Sequence, residues 1–291
     1  MMNKIVMMAL CLFAFLSLKA TGLDGDVIHI DGKYWGLLAK PINNNRLLYK
    51  RLMDFLPENR SMSTADWDGY TAFWKMEDGY LYLQHIEVTV YDKDRNSLTI
   101  AFLPDDLKQV FAFYYANGKI RADWFTGQIR AVHGEFVRYI HSGFNRNLET
   151  EQVIDVKEGQ VLRMELYHNY KKDGLKMEYL FNELDRRFPW EEFPKYQAYK
   201  LYFTIQNYLL TADGRFVDCD ITIHVRPTME EIRDSAHPLV RAFKEIARSV
   251  YPLEVYFING KFTLIHDKWT HPFSMERTEQ IKHRFVSSKS I

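Results

Sequence analysis

The stretch YTAFWKMEDGYLYLQHIEVTVY, residues 70–91, decides the fold class. It reads as two strands, Tyr70–Met76 and Tyr80–Tyr91, joined by a turn at Glu77-Asp78-Gly79. Aromatic and β-branched residues fill both arms, and Asp-Gly tolerates the positive φ that a tight hairpin turn demands. In the second arm, alternation puts Tyr80, Tyr82, Ile86, Val88 and Val90 on one face and Leu81 and Leu83 on the other. A strand that is apolar on both faces near its start is expected to lie inside the fold.

The same grammar extends from Val27 to His168. Val27–Ile30, Asp31-Gly32 and Lys33–Leu38 form a second hairpin pattern. Further strands are predicted at Ser97–Phe102, Lys119–Phe125, Gln128–Val132, Phe136–His141, Gln152–Val156 and Gln160–His168. Asn117-Gly118, Gly127, Gly134 and Glu158-Gly159 punctuate them. One helix interrupts the series at Arg46–Leu56, with Leu48, Leu52 and Phe55 at helical spacing and Pro57 as its stop.

The texture changes at Lys171-Lys172-Asp173-Gly174. A helix is predicted over Leu175–Phe188, then a strand–strand–helix–hairpin series. Its strands are Tyr199–Leu210 and Phe216–Val225, turning at Asp213-Gly214. Pro238 opens a helix to Val250, with Leu239, Phe243, Ile246, Ala247 and Val250 as its apolar stripe. Leu253–Ile258, Asn259-Gly260 and Lys261–His266 make the final hairpin. The expectation is an α+β protein: a β-rich module over 21–170, a small β-β-α-β module over 171–270 and a loose polar tail over 271–291.

The N-terminus reads as an export signal. Lys4 precedes Ile5–Leu18, an uncharged run of 14 residues, too short for the roughly 18 to 20 that span a bilayer. Ala20 suits the position before a cut. Cys11 follows Leu10, which is too large for a lipoprotein site. Removing residues 1–20 takes Lys4 and Lys19 and leaves a net charge of about −2. That balance gives no electrostatic case for nucleic acid, and no later stretch is apolar enough to anchor the mature chain. With 47% hydrophobic and 15% aromatic residues, the core can be large. It must carry the stability alone, because the mature chain has one cysteine, Cys219, and forms no internal disulfide.

Three sets of residues are candidates for chemistry. His133 and Glu135 stand two apart around Gly134, and His141 follows one strand later. Two imidazoles and a carboxylate could hold a metal with an open position, as a metal-dependent hydrolase requires. Trp67, Tyr115 and Trp124 could stack on a ligand ring, with Trp67 the most exposed member. Arg121 and Arg130 could bind an anion. Cys219 shares a strand face with Val217, Ile221, Ile223 and Val225, so it reads as core and not as a nucleophile. There is no Gly-rich phosphate loop, G-x-S-x-G, H-E-x-x-H or paired C-x-x-C, and no cofactor is expected.

Two resemblances add to this reading. Asp213-Gly214-Arg215-Phe216-Val217, Pro238-Leu239-Val240-Arg241-Ala242-Phe243, Pro252 and Asn259-Gly260-Lys261 make residues 199–266 resemble the C-terminal domain of TonB, the periplasmic energy-coupling protein. TonB's anchor and Pro-rich spacer have no counterpart in this sequence, so the resemblance implies a fold and no energy transduction. Gly69-Tyr70-Thr71-Ala72-Phe73-Trp74, Leu81-Tyr82-Leu83, the run from Asp123 to Arg130 and His141-Ser142-Gly143-Phe144 make residues 27–168 resemble an uncharacterised family of bacterial proteins. Together with the export signal, this implies the periplasm or surface of a Gram-negative bacterium of the Bacteroides type. The functional expectation is a non-catalytic binding or envelope-interaction protein whose partner is an envelope protein or a glycan.

The export reading predicts an N-terminus within a few residues of Thr21 in the exported protein. Intact-mass spectrometry checks it, and a mature protein that keeps Met1 would overturn it.

Overall fold

The computed structural model describes residues 23–140, 142–264 and 268–287. The export signal read at 1–20 and the candidate His141 lie outside them. Among the described residues, seventeen strands and four α-helices make a mixed α+β protein with several sheets. None of these helices is long and apolar enough to cross a membrane. The chain divides after Asn169 into two compact units.

The first unit holds β1 (Asp26–Ile30), β2 (Lys33–Leu37), α1 (Arg46–Phe55), β3 (Thr71–Glu77), β4 (Tyr80–Tyr91), β5 (Ser97–Phe102), β6 (Tyr115–Ala116), β7 (Lys119–Arg121), β8 (Gly127–Tyr139), β9 (Arg146–Lys157) and β10 (Gln160–His168). The pairing of β3 with β4 corrects the reading of residues 70–91. Phe73 faces His85 and Trp74 faces Leu83, which leaves Gln84 as an extra residue in β4. Such a bulge shifts the alternation by one. Leu81, Leu83, Ile86, Val88 and Val90 are therefore all buried, while Tyr80 and Tyr82 are half-buried. The strand has one apolar face, not two.

The strand order runs β10-β9-β8-β2-β1-β3-β4, and β4 meets β10 again at Tyr80 and Gln160. The strands thus close into a ring, antiparallel except where β1 lies parallel to β3. Closure happens at two hairpin turns. Leu81 N donates to Gly159 O and Val161 N to Gly79 O, each at 2.8 Å. Gly159 has φ +75°, and a Cβ there would lie 2.9 Å from the Ala122 carbonyl carbon, so the junction needs glycine. Beyond the junction, β7 and β5 take up the rest of that edge of β4.

Ile28, Trp74, Leu81, Ile86, Ile129 and Ile154 belong to the core of this unit. Leu48 and Leu52 of α1 pack with them, and the Asn45 side chain caps the helix by accepting from Leu48 N at 3.0 Å. Phe55 does not complete the helical stripe and is 39% exposed. The helix ends there, and the extended Leu56 is buried instead. Three of the predicted strands differ in extent. Lys119–Phe125 stops at Arg121, where Phe125 N turns back to Ala122 O. Gln128–Val132 and the strand predicted from Phe136 fuse into β8, which bulges after His133.

The second unit contains β11 (Tyr170–Lys172), α2 (Met177–Arg187), β12 (Lys200–Leu210), β13 (Phe216–Arg226), β14 (Glu231–Ile232), α3 (Pro238–Ser249), β15 (Val255–Ile258), β16 (Lys261–Thr263), β17 (Lys268–Phe273) and α4 (Met275–Ser287). One sheet has the order β14-β13-β12-β17 and another β11-β15-β16. The final hairpin therefore sits beside β11 and not beside β12 or β13. Leu239, Phe243, Ile246, Ala247 and Val250 are all buried. Phe243 stacks on Phe203 at 5.7 Å, and Phe203 meets Phe273 at 5.4 Å.

Two expectations change in this unit. Leu209 faces Asp218 and Leu210 faces Phe216, so Val217 is an extra residue in β13. It is 44% exposed, and Phe216 takes the core position beside Cys219, Ile221, Ile223 and Val225. The polar segment from residue 271 is not loose. Phe273 and Thr278 are buried, and Trp190 Nε1 donates to Thr278 Oγ1 at 2.9 Å. Asp185 Oδ2, fully buried, accepts from Arg277 Nε at 2.8 Å and contacts His271 Nε2 at 3.1 Å. A few anchoring side chains hold a segment whose average composition is polar.

Truncating Phe243 to alanine removes a ring from this core. Phe243→Ala should destabilise the second unit by about 3–5 kcal/mol, read as a lowered urea midpoint of the protein. A midpoint unchanged from wild type would mean that the α3 stripe contributes little to stability.

Candidate functional site

A cleft of about 630 Å³ in the first unit opens between the end of β2, the loop into α1 and the segment that leads to β3. Leu38, Lys40, Asn43, Asp66, Trp67, Asp68, Phe125 and Phe144 are among its lining residues. Its floor is organised by one ammonium group. Lys40 Nζ donates to Asp66 Oδ1 and to the Tyr70 carbonyl, each at 2.8 Å, and lies 3.9 Å from Asp68 Oδ2. It also sits 4.3 Å from the Tyr70 ring centroid. A lysine this buried needs such compensation, because an unpaired ammonium in the interior is costly.

The carboxylates are held in turn. Asp68 accepts from Asn43 Nδ2 at 2.9 Å and from the Tyr49 hydroxyl at 2.7 Å. Burial, followed by that bond to Asp68, pushes the Tyr49 phenol up to about 12. Tyr70 donates its hydroxyl to Asn43 Oδ1 at 2.7 Å. Gly69 links Asp68 to Tyr70 at φ +66°, and a Cβ there would stand 2.7 Å from Ser61 O. This fixes the turn that presents Asp66-Trp67-Asp68. Trp67 stands between the two anchored carboxylates and is 70% exposed.

Behind the floor lies Asp26, fully buried at the start of β1. Its oxygens accept from Ala72 N at 3.1 Å and Trp74 Nε1 at 2.9 Å. Burial raises its carboxyl to about 7, against the opposing pull of Lys40 and of those two donors.

The residues singled out in the sequence have different surroundings. Trp67 lines the cleft. Trp124 does not: its Nε1 donates to Pro41 O at 3.2 Å, and its ring packs against Trp74, Phe111 and Tyr114. The Tyr115 hydroxyl is bound by Asp105. Arg121 forms a two-bond pair with Asp123 and covers the Tyr80 ring. Arg130 donates to the carbonyls of Phe144 and Arg146 and pairs with the buried Glu151, which pins the loop that carries Phe144. Both arginines are thus engaged within the fold. His133 and Glu135 are exposed, and the bulge between them and Phe136 breaks the alternation that would align them. Glu135 N donates to Glu149 Oε2 at 3.1 Å. Among the described residues, no three His, Cys, Asp or Glu side chains gather to hold a metal. Cys219 is buried, and burial pushes its thiol up to about 12.

Sequence reasoning missed Lys40, Asp66, Asp26 and Asn43. The available signal was Asp66-Trp67-Asp68 itself, an aromatic flanked by two carboxylates just before a strand. Comparison of the chain with models of protein families, with curated proteins and with solved structures finds no match.

Asp26 makes stability depend on pH. Its folded pKa exceeds the unfolded value, so between about 4 and 7 the folded chain holds a proton that the unfolded chain has lost. This contribution is full below about 4 and is lost as pH rises through about 7, a span worth up to about 4 kcal/mol. Glu77 and Asp218 are shifted the opposite way, below their ordinary range by their lysine partners, so they do not produce a loss of stability as pH rises. Urea unfolding between about pH 5 and 8 should show the decline in wild type. Asp26→Asn should flatten it while costing about 1–3 kcal/mol at low pH, because one of two buried donors loses its acceptor.

Proposed function

We propose that this is an exported, non-catalytic binding protein of the cell envelope, and that the cleft beneath Trp67 holds its ligand. The observation that carries this reading is an exposed tryptophan whose two flanking carboxylates are fixed by an internal ion pair. Aromatic surface beside fixed polar groups is the usual make-up of a ligand site. The Lys40 ammonium is spent on Asp66 and the Tyr70 carbonyl, and among the described residues no metal-holding set gathers beside it. This favours recognition over a reaction.

A second reading names the ligand as a glycan. It is favoured by Trp67 standing over a cleft that also presents the carboxylates of Asp24 and Asp66 and the side chain of Asn44. A sugar ring has an apolar face for the indole and hydroxyl groups for the polar atoms. The likeness of the second unit to the TonB C-terminal domain rests on the sequence and the element order alone, since the final hairpin pairs with β11 and not with β12 or β13, and nothing functional is drawn from it. The likeness of residues 27–168 to a bacterial family supports export to the periplasm or surface.

Screening the labelled mature protein against a glycan array tests the cleft. Trp67→Ala should weaken binding at least about tenfold, the loss expected for a stacking aromatic. It should leave the unfolding midpoint in place, because the side chain is mostly exposed. Binding that survives this substitution unchanged would overturn the assignment.

A further inference from the structure

The unspent hydrogen-bonding capacity of the cleft is lopsided. Its cation is committed: Lys40 donates to Asp66 Oδ1 and the Tyr70 carbonyl. The Asn43 amide is spent on Asp68, and the Gln128 amide donates to Asp155 at 2.9 Å. The acceptors are less committed. Among the described residues, no donor sits on the Asp24 carboxylate or on Asp66 Oδ2, and Asp24 is exposed. Charge leans the same way. Asp24, Asp66 and Asp68 line the cleft against Lys40. Arg60 reaches Asp68 from behind, through its main-chain carbonyl at 2.8 Å. With Arg60 counted in full, carboxylates still outnumber cations among the described residues of the cleft.

A site with acceptors and negative charge to spare is complemented by a ligand that brings donors and positive charge. The exposed Trp67 ring adds a face that attracts cations. Resting on the reading of this cleft as a saccharide site, we infer that it selects an amino sugar whose amine is free and protonated. The ammonium group faces Asp24 and Asp66, and the sugar ring lies on Trp67. Neutral N-acetylated and acidic sugars of the same ring size are the disfavoured ligands.

Three sugars of one ring size isolate the charge: glucosamine, N-acetylglucosamine and glucuronate. Each is titrated into the isotope-labelled mature protein at about pH 6, where the amine is protonated. The indole N–H signals are followed by NMR, and Trp67→Phe assigns the signal of Trp67. Glucosamine should bind about three- to tenfold more tightly than N-acetylglucosamine, the scale of one solvent-exposed charge pair, and glucuronate should bind most weakly. The preference should shrink toward one in Asp24→Asn and at about 1 M salt, where screening is short-ranged. If N-acetylglucosamine moves the Trp67 signal at the same or lower concentration than glucosamine, the charge inference falls and the saccharide cleft stands. If the glucosamine preference persists undiminished in Asp24→Asn and in salt, its assigned origin is wrong. If no sugar moves the Trp67 signal, the saccharide reading itself falls.

Discussion

A ring of strands must close somewhere, and in the first unit it closes at a single residue pair, Tyr80 with Gln160. Two hairpin turns lie side by side at that point, and each lends a backbone carbonyl to the other's strand. The closure sets which face of β4 can be buried, because β4 must serve β3 along one edge and β10, β7 and β5 in succession along the other. The bulge at Gln84 reconciles these demands, keeping Leu81 and Leu83 in phase with Ile86, Val88 and Val90 despite the change of partner.

Against that frame, the cleft is an electrostatic structure. Lys40 leaves water at the end of β2, and its cost is offset by Asp66, Asp68, the Tyr70 carbonyl and the Tyr70 ring. Asp26 sits deeper, where burial outweighs Lys40 and raises its carboxyl to about 7. The two residues flank the same piece of backbone: Asp26 N donates to Ala39 O at 3.2 Å, next to Lys40. The floor of the cleft and the start of β1 are therefore one electrostatic unit, and a charge change at either is felt by the other.

Much of the fold was legible in the sequence because turn chemistry is local. Asp31-Gly32, Asp78-Gly79, Asn117-Gly118, Glu158-Gly159 and Asn259-Gly260 all adopt paired positive φ angles, as such dipeptides do in tight hairpins. The α3 stripe was legible because a helical period of 3.6 leaves little ambiguity in a segment opened by proline. Bulges were not. Gln84 and Val217 are ordinary residues, and their extra place in the strand is set by partners distant in sequence. The C-terminal segment misled for a related reason: composition averages over Phe273, Arg277 and Thr278, whose partners Phe203, Asp185 and Trp190 stand about 70 to 90 residues earlier. Of the candidate site, Trp67 could be singled out from its neighbours. Lys40 could not, since a lysine between Ala39 and Pro41 looks like any surface lysine until the fold buries it.

The anchoring of Asp66 and Asp68 on either side of Trp67 has a kinetic meaning. Both neighbours of the ring are tied down, and Gly69 fixes the turn behind them. The backbone under the indole is already in place before anything arrives, so ordering it adds little to the entropic cost of association. A preorganised rim of this kind captures related ligands at similar rates and separates them by how long each one stays.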